Sequence, residues 1–349
     1  MKITYESKHL KKRFPLRISR GLITGSDNLF VQVRTFGVTG LGEMAPGKIK
    51  NADTPAVAQR ILEAFQATGI DDLSITEIYD SALDFGVPHA ALAALDIALW
   101  DAKAKQAGMP LYQLLGMPLP RVPTSVTIGI NPPEVIRKRV PLLLDDTDVK
   151  SLKIKLGSTE GIGADQEMFS QVYESTRGYD VQLRVDANGG WTVSDANEMI
   201  PWLRDRDVDY IEQPLPEGQE EDLEAIFHNR ALPIYVDESC RVSSDIAKWH
   251  HSVDGVNIKL MKCGGITEAM RIMATARAFG LKTMIGCMGE SSVSISAAAA
   301  LSGCIDHIDL DSHLNLDPDP YTGATMIDGI ITPPERHGHG AIIKADANV

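Results

Sequence analysis

Hydrophobic residues recur along the chain in two different patterns, and the change falls near residue 120. In residues 1–120, an alternating segment at residues 29–33, LFVQV, is followed by glycines, which is typical of a small antiparallel sheet. After Pro88, the segment HAALAALDIALWDAKAKQ has apolar residues at three- and four-residue spacing and ends at a glycine and a proline. This spacing predicts a helix, so residues 1–120 are predicted to form an α+β domain.

Beyond residue 120 the pattern changes to short apolar runs, each of which ends in polar residues and is followed by a helix-like stretch. The eight runs are TSVTIGI, SLKIKLG, VQLRVDANG, VDYIEQP, LPIYVDES, DGVNIKLMKCGG, LKTMIGCMG and DHIDLDS. Marker residues along them lie 22 to 31 positions apart, an interval that holds one strand, one helix and two short loops. Eight such units predict a parallel (β/α)8-type barrel, whose functional residues lie at the carboxyl ends of the strands.

The end of the chain departs from this repeat. The segment LNLDPDPYTGATMIDGIITPPERHGHG contains prolines and glycines that leave no room for a full eighth helix. We therefore predict an α/β fold of the modified TIM-barrel type: a (β/α)7β barrel over residues 121–315 with an N-terminal capping domain over residues 1–120. Residues 316–349 are predicted to form a tail that packs back on the capping domain. Its two histidines, His337 and His339, are predicted to be exposed polar residues rather than metal ligands.

Composition and charge restrict the class of protein. Hydrophobic residues make up 44% and charged residues 23% of 349, as in an ordinary soluble globular protein. The formal net charge of −13 argues against nucleic acid or an acidic membrane surface as the main partner. The amino-terminal segment MKITYESKHLKKRF carries charges where a signal peptide needs an apolar stretch, and no uncharged apolar run is long enough to span a bilayer. A cytoplasmic protein is therefore expected.

Three acidic residues, Asp186, Glu212 and Asp237, end the third, fourth and fifth predicted strands. Carboxylates that face one another repel unless a cation lies between them, and an oxygen-only ligand set suits a hard ion such as Mg2+. Any one of the three could be a helix cap or a loop acid. Their matching places in three consecutive units favour one shared Mg2+ site per subunit.

Lysines lie on both sides of this acid cluster. Lys153 and Lys155 belong to the second strand and point to the same face, because strand side chains alternate. Lys259 belongs to the sixth strand, which is opposite the second in an eight-stranded ring. A metal ion on the acids can hold a substrate carboxylate and stabilise the enediolate formed when the adjacent carbon loses its proton, which opposed lysines can remove and return. Lys153 is expected to stabilise the enolate and, by its like charge, to keep Lys155 neutral enough to act as a base.

The segments LKIKLG, RVDANGGW, YIEQPLP, VDES and NIKLMKCGG resemble the successive active-site signatures of the enolase superfamily, muconate-lactonizing subgroup. The resemblance covers nearly the whole chain, including the GLGEMAP stretch of the capping domain. It implies that Asp186, Glu212 and Asp237 bind Mg2+ and that Lys155 and Lys259 are the two acid/base catalysts. A lysine base acting with Mg2+ is general chemistry of that superfamily.

The eighth strand helps to choose among the reactions of this subgroup, which include cycloisomerization, o-succinylbenzoate synthesis, N-succinylamino acid racemization and dipeptide epimerization. Its IDLDS segment carries Asp309 and Asp311, a carboxylate pair suited to a cationic group. This DxD element is similar to that of dipeptide epimerases, in which it binds the α-ammonium of the amino-terminal residue. The alternative is that the pair only caps a strand end or pairs with a nearby lysine. The segment GCMGES at residues 286–291 resembles the seventh-strand segment of those epimerases, which implies substrate contacts for Cys287 and Met288.

Side-chain preference is expected to come from loops of the capping domain. Arg17 and Arg20 lie in the segment PLRISRGLITGSDN, and Lys48 and Lys50 lie in GKIKNADT. Either arginine could bind a glutamate side chain bidentately, which would make the substrate an L-Ala-Glu type dipeptide. Hydrophobic dipeptides are the next alternative, because charged loop residues are commonly only solvated surface.

The sequence thus predicts a Mg2+-dependent dipeptide epimerase that moves the α-proton of the carboxy-terminal residue of an L-Ala-Xaa type dipeptide. By resemblance, Lys155 serves the L-residue and Lys259 the D-residue. An N-succinylamino acid racemase or a muconate-type cycloisomerase with the same metal and lysines is the nearest alternative. A Schiff-base aldolase with a nucleophilic barrel lysine and a catalytically silent barrel are alternatives from other classes. The expected partner is a small dipeptide, with no nucleic acid or membrane, and the chain could form a homo-oligomer.

Overall fold

The computed structural model describes residues 1–35, 37–46 and 54–345. Lys48 and Lys50, named above as candidate substrate contacts, lie outside the described residues. Among the residues described, no helix is both long and apolar enough to cross a membrane.

The amino-terminal part begins with a three-stranded antiparallel sheet. Its strands are β1 (Lys2–Ile18), β2 (Gly21–Thr35) and β3 (Val38–Met44). β1 and β2 form a long hairpin with Ser19 and Arg20 at its tip, and the register between them shifts between Lys11 and Leu16. The tip of this hairpin contacts the barrel, because Ser19 and Arg20 donate hydrogen bonds to the Asn188 carbonyl oxygen.

Four helices follow the sheet. They are α1 (Pro55–Gln66), α2 (Ile75–Phe85), α3 (His89–Ala107) and α4 (Leu111–Leu114). The helix predicted after Pro88 is α3. It packs so closely against β3 that a Cβ atom at Gly42 would lie only 1.9 Å from the Ala94 carbonyl oxygen. On its other side, the Asp96 carboxylate of α3 accepts a hydrogen bond from the Thr267 amide at 3.1 Å. α3 is therefore the layer between the capping sheet and the barrel.

The second part is a closed parallel barrel in which each strand pairs with the next one along the chain. The eight strands are β4 (Val126–Ile128), β5 (Ser151–Lys155), β6 (Gln182–Asp186), β7 (Val208–Glu212), β8 (Ile234–Val236), β9 (Gly255–Ile258), β10 (Lys282–Ile285) and β11 (His307–Ile308). A parallel bridge between Thr124 and Ile308 joins the first strand to the last. Each of the eight apolar runs in the sequence contains one of these strands.

Seven helical connections join these strands. They contain α5 (Pro133–Leu144), α6 (Ile162–Ser175), α7 (Val193–Arg204), α8 (Leu223–Phe227), α9 (Ser243–Trp249), α10 (Leu260–Cys263) with α11 (Ile266–Ala278), and α12 (Ser292–Ala299). After β11, the only helical segment in the described residues is a short 3-10 turn at Ser312–Asn315. The predicted (β/α)7β fold, with a cap and without an eighth barrel helix, is confirmed.

The tail contributes four short strands and packs against the amino-terminal part. They are β12 (Tyr321–Thr322), β13 (Thr325–Ile327), β14 (Ile330–Thr332) and β15 (Ile342–Ile343). His337 is exposed, as predicted, but the prediction that His339 is exposed is wrong, since only 1% of its surface is accessible. Its backbone N–H donates to the Asp101 carboxylate at 2.9 Å, and its Nε2 lies 2.8 Å from the Leu41 carbonyl oxygen. Burial lowers the pKa of His339, so the neutral imidazole ties the tail to the cap.

Glu43, at the end of β3, joins the cap to the barrel. Its buried carboxylate accepts hydrogen bonds from Asn28 Nδ2 at 2.7 Å, from the Ser291 amide and hydroxyl at 2.9 and 2.8 Å, and from the Ser294 amide at 3.1 Å. Ser291 is the N-cap of α12 and Ser294 lies in its first turn, where the amides lack partners within the helix and attract a negative charge. The loop between β10 and α12, which carries Cys287 and Met288, is thereby fixed beneath the cap.

Candidate active site

The three predicted metal ligands meet at the carboxyl ends of adjacent strands. Asp186 and Glu212 are direct partners in the pairing of β6 with β7, and Asp237 follows β8. All three are buried, and each offers a carboxylate oxygen within 4.8 Å of the others. A compact, oxygen-only set of three carboxylates fits a single Mg2+ ion. These residues would hold the ion, which would supply the positive charge that polarises a bound substrate carboxylate.

The pKa values of the three acids depend on their burial and on the charges of their neighbours. Burial and the neighbouring Asp186 raise the pKa of Glu212 to about 7. Burial opposes ionisation of Asp186 and Asp237 as well, but nearby lysines outweigh it and lower the pKa of both. Positive charge beside the three carboxylates therefore stabilises their ionised forms.

Lys153 and Lys155 both point from β5 into the barrel, as the alternation of strand side chains predicts. Lys155 Nζ donates to Asp186 Oδ2, whereas Lys153 Nζ donates to Glu212 Oε2 at 3.2 Å and also to Asp309 Oδ2. Burial disfavours the charge on Lys153, but Asp309 and Glu212 outweigh burial and raise its pKa well above the ordinary value. Lys153 is thus a fixed cation beside the acid cluster.

Lys259 lies directly after β9, across the ring from β5. Its Nζ donates to Asp237 Oδ2 at 2.6 Å, so Lys155 and Lys259 contact the acid cluster from opposite sides. Asp237, with Glu212 as a smaller contributor, outweighs the effect of burial and raises the pKa of Lys259. Mg2+ on the carboxylates would place a further positive charge between the two lysines.

Two residues that the sequence analysis did not single out hold the metal-ligand carboxylates. Lys262 Nζ donates to Asp237 Oδ1 at 2.8 Å and to the Asn257 carbonyl oxygen at 2.7 Å, while Asn257 Nδ2 donates to Glu212 Oε1 at 2.6 Å. The sequence contains a signal for each of these two residues. Lys262 is a lysine in the apolar turn LMKC, and Asn257 stands two positions before Lys259 on the same face of the strand.

Asp309 and Asp311 both face a cavity of about 450 Å3 that Lys153 and Lys155 also line. Asp309 is 3% exposed; one of its carboxylate oxygens accepts from Lys153, and the other, Oδ1, has no hydrogen-bond partner among the described residues. Asp311 Oδ2 accepts from the Thr127 amide at 2.7 Å. The pair is therefore held in place while one buried oxygen is left for a ligand that donates hydrogen bonds.

Cys287 and Met288 line the same cavity. Cys287 Sγ lies 3.3 Å from the Asp309 carbonyl oxygen, and the Met288 amide donates to Glu290 at 2.7 Å. The structure thus brings both residues to the predicted ammonium site.

The two candidate arginines of the hairpin are placed differently from one another. Arg20 lines a second cavity of about 360 Å3 at the barrel mouth, where its guanidinium donates to Glu238 Oε1 at 2.9 Å and to the Asn188 carbonyl oxygen at 3.0 Å. Arg17 is exposed and lines neither of these two cavities, while its carbonyl oxygen accepts from the Ile130 amide at 2.8 Å. The structure brings Arg20 to the site but not Arg17.

Asn188 connects the hairpin to a metal-ligand carboxylate. Its amide and side-chain Nδ2 donate to the two oxygens of Asp186 at 2.7 and 3.0 Å. Its carbonyl oxygen accepts from both Ser19 Oγ, at 3.1 Å, and Arg20. Asn188 has a positive φ of 47°, a conformation that asparagine tolerates better than most residues. The hairpin tip therefore rests on the backbone two residues beyond Asp186.

The fold and these strand-end residues define a barrel enzyme with a single Mg2+ site. Comparison with known families identifies both parts of the chain. Residues 1–116 match the mandelate racemase/muconate lactonizing enzyme N-terminal domain, and residues 136–347 match the enolase C-terminal domain-like family. The chain belongs to the mandelate racemase/muconate lactonizing enzyme family of the enolase superfamily.

Individual relatives extend over the full length. The chain is 62% identical over 346 residues to a hydrophobic dipeptide epimerase of Flavobacteria bacterium (strain MS024-2A), covering 99% of both chains. It is 60% identical over 344 residues to a hydrophobic dipeptide epimerase of Roseobacter litoralis, again covering 99% of both. A dipeptide epimerase from Enterococcus faecalis V583, solved with Mg and the dipeptide L-Leu-L-Tyr, has a TM-score of 0.90 and 33% identity, covering 97% of this chain and 98% of that one.

Proposed function

We propose that this chain is a Mg2+-dependent dipeptide epimerase that prefers dipeptides with hydrophobic side chains. One observation carries the choice of reaction: two lysines flank the buried acid triad on opposite strands, and the Asp309–Asp311 pair opens on the same cavity as one of them. A free dipeptide carries the carboxylate, the α-proton and the ammonium group that these three features would bind or move.

Each group has one task in this reaction. Bound Mg2+ supplies the positive charge that holds the substrate carboxylate and favours loss of the adjacent α-proton. Lys155 removes that proton from the L-residue, and Lys259 delivers a proton to the opposite face. Lys153, held as a cation, stabilises the negative charge that develops in between. Asp309 and Asp311 bind the substrate ammonium and so orient the α-carbon between the two lysines.

The preference for hydrophobic side chains follows from what surrounds Arg20. A glutamate side chain would need an unpaired cation, yet the charge of Arg20 is already neutralised by Glu238, and the ion pair is only partly exposed. The two relatives of about 60% identity bear the same preference in their names. The L-Ala-Glu substrate expected from the arginines is therefore the weaker candidate.

The reaction and the side-chain preference are tested together by proton NMR in D2O with Mg2+. The substrates are L-Ala-L-Leu, L-Ala-L-Glu, L-Ala-L-Lys and N-succinyl-L-Leu. We expect loss of the carboxy-terminal α-proton signal of L-Ala-L-Leu at a rate at least about tenfold above the others, and no loss in excess EDTA. Exchange in N-succinyl-L-Leu but in no dipeptide would instead identify an N-succinylamino acid racemase.

Removing the negative charge that pairs with Arg20 should shift the substrate preference toward acidic dipeptides. In Glu238→Gln the guanidinium loses its charged partner, so we expect kcat/KM for L-Ala-L-Glu to rise about tenfold relative to L-Ala-L-Leu, equivalent to about 1.4 kcal/mol. Glu217→Gln is the matched control, because Glu217 lines the same cavity but pairs with Arg241 instead. The gain should disappear in the double variant Glu238→Gln/Arg20→Leu; a gain that survives there would mean that Arg20 does not contact the side chain.

Several expectations from the sequence stay predictions. They are a cytoplasmic location, assembly into a homo-oligomer, and the division of the chain at residues 120 and 315.

A further inference from the structure

Lys259, the acid/base group for the D-residue, begins a tight hydrogen-bonded turn. It is the N-cap of α10, and its carbonyl oxygen accepts from the Cys263 amide at 3.0 Å. The Gly264 amide then donates to the Leu260 carbonyl oxygen at 2.9 Å. Residues 259–265, called the Lys259 turn below, are therefore one connected unit, and a shift at its glycine end would move the backbone of Lys259.

Two glycines at the end of the Lys259 turn lie directly against the capping domain. A Cβ atom at Gly264 would lie 3.0 Å from the Tyr79 hydroxyl oxygen, and one at Gly265 only 2.4 Å from Asp96 Oδ2. Both glycines have a positive φ, of 88° and 121°, a conformation that glycine adopts without steric cost. The two glycines of the segment NIKLMKCGG are thus explained by the close approach of the capping helices α2 and α3.

Tyr79 of α2 and Asp96 of α3 also hold the turn through hydrogen bonds. The Tyr79 hydroxyl donates to the Cys263 carbonyl oxygen at 2.6 Å. The Asp96 carboxylate accepts from the Thr267 amide at 3.1 Å and from the Thr267 hydroxyl at 2.5 Å. Gly265 is the N-cap of α11 and has no side chain to cap that helix, so Asp96 takes over this task from the capping domain. Both side chains are 1% exposed, which shields these bonds from solvent.

The backbone after Lys155 is held by a different part of the protein. The amides of Gly157 and Ser158 each donate to the Asp165 carboxylate at 2.9 Å, and Asp165 belongs to the barrel helix α6. A residue of the barrel thus fixes the chain beyond Lys155, whereas residues of the cap fix the chain beyond Lys259. A change in α2 or α3 should therefore reach one of the two lysines and not the other.

We propose that Tyr79 and Asp96 are positioning residues for Lys259, which hold its turn so that the amine reaches the α-carbon on the face where the D-residue loses its proton. The proposal rests on the dipeptide epimerase function above and gives the capping domain a role in the chemistry of one face of the substrate. Misplacing an acid/base group by about 1 Å can lower the rate by on the order of 100-fold.

The test measures exchange of the carboxy-terminal α-proton for deuterium in D2O with saturating Mg2+. L-Ala-L-Leu reports on Lys155, and L-Ala-D-Leu reports on Lys259. Tyr79→Phe removes only the hydroxyl, and Asp96→Asn keeps the shape of the side chain but leaves one acceptor oxygen in place of two. We expect each variant to slow exchange of the D-epimer at least about tenfold and to leave exchange of the L-epimer within about twofold of wild type. A variant that only loosened the fold would slow both.

Asp80→Asn is the matched control, because Asp80 pairs with Arg271 at 2.8 Å across the same boundary between α2 and α11, but at an exposed position. It should leave both exchange rates unchanged. If Asp96→Asn does not fold, Tyr79→Phe decides alone. Parallel loss of both rates, or a wild-type rate for the D-epimer in Tyr79→Phe, would overturn the positioning role while the proposed function stands. If wild type exchanges neither dipeptide, the proposed function fails, and this inference fails with it.

Discussion

Epimerization should be lost when either Lys155 or Lys259 is replaced by alanine, with a fall in kcat of at least about 1,000-fold, within the range that a single acid/base group contributes. Each lysine contacts the acid cluster from its own side, Lys155 through Asp186 and Lys259 through Asp237. A reaction that inverts the α-carbon needs both, since one group removes the proton and the other delivers it to the opposite face.

The two variants should differ in which epimer exchanges its α-proton, and this difference distinguishes loss of one catalytic group from loss of the folded structure. With Lys259 removed, Lys155 can still take the α-proton of the L-epimer and return deuterium from D2O to the same face. Lys259→Ala should thus exchange the L-epimer without forming the D-epimer, and Lys155→Ala should do the reverse. Lys138→Ala, at an exposed position, is the control and should behave as wild type. Full epimerization by either active-site variant would rule out the two-base mechanism.

Replacing Glu212 by glutamine should weaken Mg2+ binding by on the order of 100-fold, because it removes one of three charges that face the ion at short range. The side chain is fully buried, and the similar shape of glutamine keeps its packing, although the amide can accept from only one of the two donors, Asn257 and Lys153. Isothermal titration calorimetry with MgCl2 measures the change without reference to activity. Glu167→Gln, at an exposed position, should bind as wild type does.

The pH dependence of that binding gives a second measurement on the same protein. Since the pKa of Glu212 is about 7 and Mg2+ binds the carboxylate, protons compete with the ion below pH 7. Wild-type affinity should therefore fall as the pH is lowered from 8 to 6, with proton release on binding. The Gln variant, which has no such proton, should show a weaker dependence. Equal Mg2+ affinity in the two proteins would remove Glu212 from the ligand set.

The parts of this structure that sequence could predict are those set by a repeat. Asp186, Glu212 and Asp237 end consecutive parallel strands, and the carboxyl ends of such strands must meet at one face of the barrel. Lys153 and Lys155 share a face because side chains alternate along a strand. Regular backbone geometry alone fixed these placements, and the closed barrel confirms that the strands are where the pattern put them.

The contacts that sequence could not predict join distant segments of the chain. Arg20 looked available for a substrate carboxylate, yet it pairs with Glu238, 218 positions away. His339 lies in a glycine-rich tail that looks exposed, but it is buried because the tail folds onto Asp101, 238 positions away. Neither periodicity nor spacing predicts which loop contacts which distant segment. These contacts can therefore be identified only in the folded structure.

The substrate cavity joins two kinds of wall with different freedom to change. Lys155 belongs to β5, which pairs with a strand on each side, so a substitution there disturbs neighbours on both sides. Phe14 and Leu142, in contrast, lie on the hairpin and at the end of α5, and they are 40% and 69% exposed. Exposed positions of this kind tolerate exchange at little cost in folding stability. A change in this outer wall can therefore alter which substrate fits without touching the groups that carry out the reaction.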